Sequence, residues 1–287
     1  MSGPGGDLPP ELRAAFDLPG DARAQRLPGG RTNRVWRVEP AGQAVIVKAL
    51  ADGPHAPLFP NSYDTERAAL ERFGPQGLAP TLLASAPEHR ALLTSFIPGA
   101  SPASDAEPLA RTLRTLHAGP VGDLGRRRPG TVAGVLAEGD RILATLATPG
   151  RAAPLRPLLD DMPLGPEGPL HGDPVPGNVV LGRPGAVLID WQCAGRGPAL
   201  EDISLALSPA MRLTNGCARL GAGEQAVFFA TYGNRALESL YRAAAPAYHW
   251  RMVCHCQWRI EAGFPEFEAA FAAEAAALAD CVSVRAV

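Results

Sequence analysis

His171-Gly172-Asp173-Pro174-Val175-Pro176-Gly177-Asn178, with Val187-Leu188-Ile189-Asp190-Trp191 shortly after it, is the stretch on which the reading of this chain turns. Between the two, Val179-Val180-Leu181, a Gly182-Arg183-Pro184-Gly185 turn and the run from Ala186 to Ile189 read as a compact hairpin. A hairpin returns its two ends to the same place, so Asn178 and Asp190 lie at one end of two paired strands. Their oxygens are then placed to share a metal ion. A reaction that moves a phosphoryl group onto a hydroxyl needs this set: one carboxylate beside the attacking hydroxyl, and a second carboxylate with an amide oxygen to hold magnesium against nucleotide phosphates. Asp173 takes the first role, Asn178 and Asp190 the second. In the plainer reading, Asp173 and Asn178 stabilise a Pro/Gly-rich turn and Asp190 caps the segment after the strand.

Upstream, the pattern is that of a sheet. Val35 to Glu39, a Pro40-Ala41-Gly42 turn and Gln43 to Leu50 form one expected strand pair. Thr81 to Ser85 and Arg90 to Phe96 form another, with a helix from about Asp64 to Phe73 between the pairs. After Pro98-Gly99 the texture changes to Ala/Leu/Arg segments with helical spacing: Leu109, Leu113 and Leu116, then Val132 to Leu146, then three more helices beyond residue 199. Arg126-Arg127-Arg128 reads as a solvated loop.

The motifs resemble those of the aminoglycoside phosphotransferase and choline kinase superfamily. His171-Gly172-Asp173 with Asn178, then Ile189-Asp190-Trp191, are similar to its catalytic-loop and metal-loop motifs, and the likeness runs from about Leu27 to Asp202. The resemblance implies an α+β, two-lobed protein-kinase-like fold: a small antiparallel sheet lobe with one helix over residues 1–97, and a larger, mostly helical catalytic and substrate lobe over 98–287. It implies ATP and Mg²⁺, with a small-molecule hydroxyl as acceptor: choline, ethanolamine, thiamine, a sugar, homoserine or an aminoglycoside. Lys48, ending the apolar strand Val45-Ile46-Val47, resembles the lysine that holds nucleotide phosphates, and Glu66 its helix-borne partner. Gly29, Gly30, Thr32 and Asn33 fall in a stretch similar to the phosphate-covering loop, in a form nearer the choline and thiamine kinase branch. Ser95 and Ile97 resemble the hinge whose carbonyl and amide meet the base. Asp202 resembles an aspartate that braces the catalytic loop, and His171 would orient that loop. Gln192 departs from the acidic residue that many relatives carry.

Gly172 stands where regulated protein kinases place an arginine, and no APE-like motif occurs downstream, so a protein substrate is not expected. The rival from another class is a catalytically silent nucleotide-binding protein, but Lys48, Asp173 and Asp190 are all retained. Tyr248, Trp250, Trp258 and Glu261 suggest a wall for a cationic acceptor, although core packing is the ordinary use of such residues.

Composition sets the outer bounds. The chain has 287 residues, 46% of them apolar and 20% charged, enough for a substantial core. A formal net charge of -2 without a long basic run gives no footprint for nucleic acid or an anionic membrane. The five cysteines are irregularly spaced and lack a CxxC pair, which fits reduced thiols in a cytoplasmic protein. Cys254-His255-Cys256 alternates along an expected helix, so its side chains point apart and no metal is expected there. Neither a signal peptide nor a membrane span is expected, and the Ala-rich run from Phe264 to Val284 reads as an amphipathic packed helix.

Overall fold

The computed structural model describes residues 7–28, 33–52, 56–100, 106–182 and 185–283. The N-terminal part is a five-stranded antiparallel sheet. A short helix, α1 (Pro10–Ala15), precedes β1 (Arg23–Arg26), β2 (Arg34–Glu39) and β3 (Val45–Ala49); α2 (Tyr63–Phe73) then leads to β4 (Leu82–Ala86) and β5 (Ala91–Ser95). The spatial order is β1-β2-β3-β5-β4. Alternation along the strands gives the sheet two different faces. Trp36, Val38, Val45, Val47 and Leu93 pack outward under Leu8, Leu12 and Phe16 of the α1 region, whereas Lys48 points inward to α2. The sequence pattern predicts one helix here; α1 and β1 are additional. A six-residue helix beginning at Pro10 has too few turns to show periodicity, and the polar β1 is an edge strand defined by its pairing to β2.

The C-terminal part is mostly helical. It contains α3 (Ala106–His117), β6 (Arg126–Arg127), α4 (Val132–Leu143), β7 (Glu167–Leu170), β8 (Val179–Leu181), β9 (Ala186–Leu188) and β10 (Gly195–Pro198). Five helices complete it: α5 (Leu200–Leu207), α6 (Pro209–Thr214), α7 (Ala222–Tyr232), α8 (Arg235–Glu261) and α9 (Phe267–Ser283). The spacing of apolar residues predicts only three beyond residue 199. Pro209 accounts for one division, since it cannot donate within a continuous helix but suits the first turn of a new one, capped by Ser208 Oγ at the Met211 N–H. The 27-residue α8 packs between α4 and α9, and every residue from Ala244 to Gln257 along it is buried.

Two small sheets flank the loop over residues 171–178. β8 and β9 form the expected hairpin, with Val179 opposite Leu188. In the other sheet β10 is central, flanked by β6 and β7. The Arg126-Arg127-Arg128 run is therefore a strand and its exit rather than a solvated loop, and Arg128 is only 3% exposed. The chain after the N-terminal sheet is tied to the hairpin by Leu181 N–H donating to Ala100 O at 2.9 Å.

Candidate active site

The loop over residues 171–178, expected to be catalytic, begins where β7 ends. Gly172 has φ +80, and a Cβ there would collide with the Cys193 carbonyl, so glycine is demanded at this position by both conformation and space. Beneath it, the wholly buried Asp202 accepts from the His171 and Gly172 backbone N–H groups, each at 2.8 Å, and from His117 Nε2 at 3.0 Å. Burial alone would raise the Asp202 pKa; the hydrogen bond and charge interaction with His117 outweigh it and hold the carboxyl below its usual range. His171 Nε2 lies 3.0 Å from Ile189 O, and burial lowers its pKa. This hydrogen-bonded imidazole joins the 171–178 loop to Ile189, the residue before Asp190.

Asp173 has different surroundings. Asn178 Nδ2 donates to its Oδ2 at 3.0 Å and to its carbonyl at 2.9 Å, while Oδ1 is shielded from solvent without a hydrogen-bond partner. Burial, reinforced by the charge of Asp190, pushes its pKa up to about 7. A carboxyl at that value exchanges protons readily near neutrality.

Asp190 closes the hairpin in a left-handed conformation, φ 69, uncommon for a residue with a side chain. The next residue, Trp191, is fully buried; it stacks on Phe73 of α2 at 4.8 Å and donates from Nε1 to Leu188 O at 2.8 Å. That anchor holds the metal-loop sequence against α2, where Ser62 caps the first turn and Glu66 faces inward. Lys48 Nζ reaches Glu66 Oε2 at 2.6 Å and Oε1 at 2.8 Å, and it also contacts Asp190. Burial works to lower the lysine pKa, but Asp190 and Glu66 outweigh it and keep the ammonium charged.

A polar chain continues from Lys48. Gln192 Oε1 accepts from Lys48 Nζ at 3.1 Å and also from Asn33 Nδ2. Asn33 and Asn61 exchange side-chain hydrogen bonds at 3.0 and 2.8 Å, and Asn33 Oδ1 takes the Ala51 N–H at 3.1 Å. Asn33, expected at the phosphate loop, is thus fixed beside Lys48. Gly29, Gly30 and Thr32, expected with it, lie outside the described residues. Ser95 ends β5, its Oγ accepting from Thr81 N–H at 3.0 Å, and Ile97 lies in the connection to the helices.

The structure therefore gathers Lys48, Glu66, Asn33 and Asp190 into one network, with Asn178 and Asp173 at the neighbouring loop. Asn61 escapes sequence reading because a lone asparagine before a helix reads only as part of a turn. The aromatic and acidic wall suggested for a cationic acceptor is not at this site. Tyr248 and Trp250 are buried in α8, and Trp258 lies 6.2 Å from the His255 ring, nearly parallel to it. Glu261 accepts from the Ala147 and Thr148 backbone N–H groups at 2.8 and 3.0 Å. Among the described residues no cluster of three metal-ligating His, Cys, Asp or Glu side chains occurs, and no helix is long and apolar enough to cross a membrane.

Solved structures share this architecture. A choline/ethanolamine kinase family protein from Mesorhizobium loti aligns with TM-score 0.65 at 17% identity, over 95% of this chain and 93% of its own. The choline kinase LicA from Streptococcus pneumoniae, in a complex with AMP, gives 0.64 at 15% identity over 94% and 96%. Spectinomycin phosphotransferase, solved with ADP and spectinomycin, gives 0.52 at 14% identity over 91% of each chain. No curated protein sequence matches the chain. The structural likenesses confirm the expected kinase-like fold, an N-terminal antiparallel sheet joined to a mostly helical part. Residues 23–247 match the model of the phosphotransferase enzyme family, and the chain belongs to that family.

Proposed function

We propose that the protein is an ATP- and magnesium-dependent kinase of a small alcohol, with nucleotide between a lobe ending near Ile97 and the helical lobe after it. The observation that carries this is the pairing of a buried, unpartnered Asp173 Oδ1 with the adjacent Lys48, Glu66 and Asp190 network. The donor set suits magnesium. Asn178 spends its Nδ2 on Asp173, which leaves its amide oxygen as a hard ligand, and the Asp190 side chain is 34% exposed. Magnesium keeps several waters and takes phosphate oxygens, so one carboxylate and one amide suffice. When bound, the ion neutralises charge on the nucleotide phosphates.

The chain's own residues supply the remaining steps. Glu66 orients Lys48 toward the phosphates, and Asn178 fixes Asp173 so that Oδ1 faces the acceptor hydroxyl. As the hydroxyl oxygen bonds to the γ-phosphorus, the bond from that phosphorus to the ADP oxygen breaks, and the hydroxyl proton passes to Asp173 and then to solvent. The products are a phosphate monoester and ADP. Positioning and charge stabilisation provide most of the acceleration. The backbone at Ser95 and Ile97 would meet the base, and Asn33 would hold one end of the loop over the phosphates. The unpaired cysteines, three of them buried, fit a reducing cytoplasm.

The test is ADP release from Mg-ATP across a panel of alcohols, alongside a nucleotide-binding titration. Acceptor-dependent release is expected, and it should vanish when magnesium is chelated. A protein that binds no Mg-ATP would refute the proposal.

A further inference from the structure

The arginine run that forms β6 and its exit, expected to be solvated, instead buries the charge of Arg128 near the 171–178 loop. Arg128 donates from Nη2 to Leu58 O at 3.1 Å, while its Nε and Nη1 have no hydrogen-bond partner. Its nearest carboxylate, Glu201, stands 3.7 Å away and is held more closely by Arg251, at 2.9 Å from both guanidinium terminal nitrogens. Glu138 is engaged by Arg251 at 2.7 Å and by Arg126. Two buried arginines, Arg128 and Arg251, thus face two buried glutamates, while Arg126 reaches Glu138 from an exposed position; Arg251 takes both glutamates closely, which leaves Arg128 with its counter-ion at 3.7 Å and two nitrogens without hydrogen-bond partners. A buried guanidinium with unmade hydrogen bonds is costly unless something that binds there completes them.

Its position connects it to Asp173. β6 and β7 flank the same strand, and β7 runs directly into His171. The segment before α2 lies across this region: Leu58 O meets Arg128, and Pro60 O accepts from Cys193 Sγ at 3.2 Å. The Cys193 carbonyl in turn packs on Gly172, next to Asp173. Arg128 also exerts a downward pull on the Asp173 pKa, a sign of electrostatic proximity. The same layer thus contains two buried groups of opposite character with unused hydrogen-bonding capacity, a carboxylate oxygen and a guanidinium edge.

We infer that the acceptor alcohol also carries an oxyanion, a carboxylate or phosphate, which the free edge of Arg128 recognises while the hydroxyl reaches Asp173 Oδ1. The inference rests on the kinase reading above and narrows its substrate class. Guanidinium matches carboxylate and phosphate in geometry and charge. A quaternary ammonium would meet a like charge there, and Tyr248 and Trp250, which could have received it, are occupied in the core.

The experiment uses the full chain with Mg-ATP. ADP release is compared for glycolate, 3-hydroxypropionate and glycerol phosphate against choline and ethanolamine, and glycolate and glycerol phosphate are titrated calorimetrically into the Mg-ADP complex. The oxyanion alcohols should bind saturably and be preferred in kcat/KM, and the better of the two anions names the group. Arg128→Gln should raise their KM by about tenfold to a hundredfold, as loss of a charge-assisted hydrogen bond does, with Arg128→Lys intermediate and Mg-ATP affinity retained as the check on folding. Preference for choline or ethanolamine, or failure of both anions to bind a wild-type protein that does bind Mg-ATP, overturns the inference and leaves the kinase reading standing. Failure to bind Mg-ATP removes both.

Discussion

The two sides of the catalytic loop use the same residue type to opposite ends. On the underside Asp202 accepts three hydrogen bonds, two from backbone N–H groups and one from His117, and its pKa falls despite complete burial. On the upper side Asp173 keeps one oxygen without a partner, and its pKa rises to about 7. Burial is the largest influence on both, so the difference comes from the donors and charges each carboxylate meets. A saturated carboxylate is a brace; one left half-satisfied is available for chemistry.

The largest effect that sharpens this contrast is on rate. Asp173→Ala should lower kcat by about a hundredfold to ten-thousandfold, the usual contribution of a positioned general base, while nucleotide affinity changes little. Asp202→Ala should act on folding instead. It strands two buried N–H groups and His117, at a cost of about 3–5 kcal/mol, read as a lower midpoint in urea. An Asp202→Ala protein of wild-type stability but lost turnover would break the contrast, because Asp202 would then be acting in the chemistry.

A smaller effect separates the two by pH. Only ionised Asp173 accepts a proton, so kcat/KM should rise with pH and level off above about 7. The stability consequence has the opposite sign. A carboxyl whose folded pKa is raised binds its proton more tightly when folded, so the fold loses stability as pH climbs from the ordinary carboxylate value through about 7. Asp173→Asn should therefore melt above wild type at pH 8, with the gap closing toward pH 4. Asp202, with its lowered pKa, behaves in reverse: its contribution is present above the unfolded carboxylate value and is lost in acid below it.

The smallest expected effect is at Gln192. Gln192→Glu keeps an acceptor for Lys48 and Asn33, so Mg-ATP affinity should move by less than about tenfold. A larger loss would mean that the neutral amide is needed beside Asp190.

Most of the geometry of the candidate site is legible in the sequence because its contacts are local. Asp173, Asn178 and Asp190 sit around one hairpin whose turn residues announce it, and Lys48 ends a strand with clear β-branched character. Glu66 can be placed from the helix that carries it. The features that escape the sequence depend on distant contacts. Arg128 reads as one of three exposed arginines until β6 is seen paired to β10, and Asn61 gains meaning only when its amide meets Asn33. Tyr248 and Trp250 lie in a helical stretch buried on every side, Ala244 to Gln257, and such a stretch lacks the amphipathic pattern that separates core from pocket. The α1 helix is too short to show a period, and Pro209 divides a segment that otherwise reads as continuous helix.

The most direct test measures two quantities on the wild-type and Asp173→Ala proteins: Mg-ATP affinity, and acceptor-dependent ADP release. The expected result is near-equal affinity with release abolished in the variant. Acceptor-dependent release at the wild-type rate from Asp173→Ala would contradict the central claim that Asp173 is the group that accepts the proton.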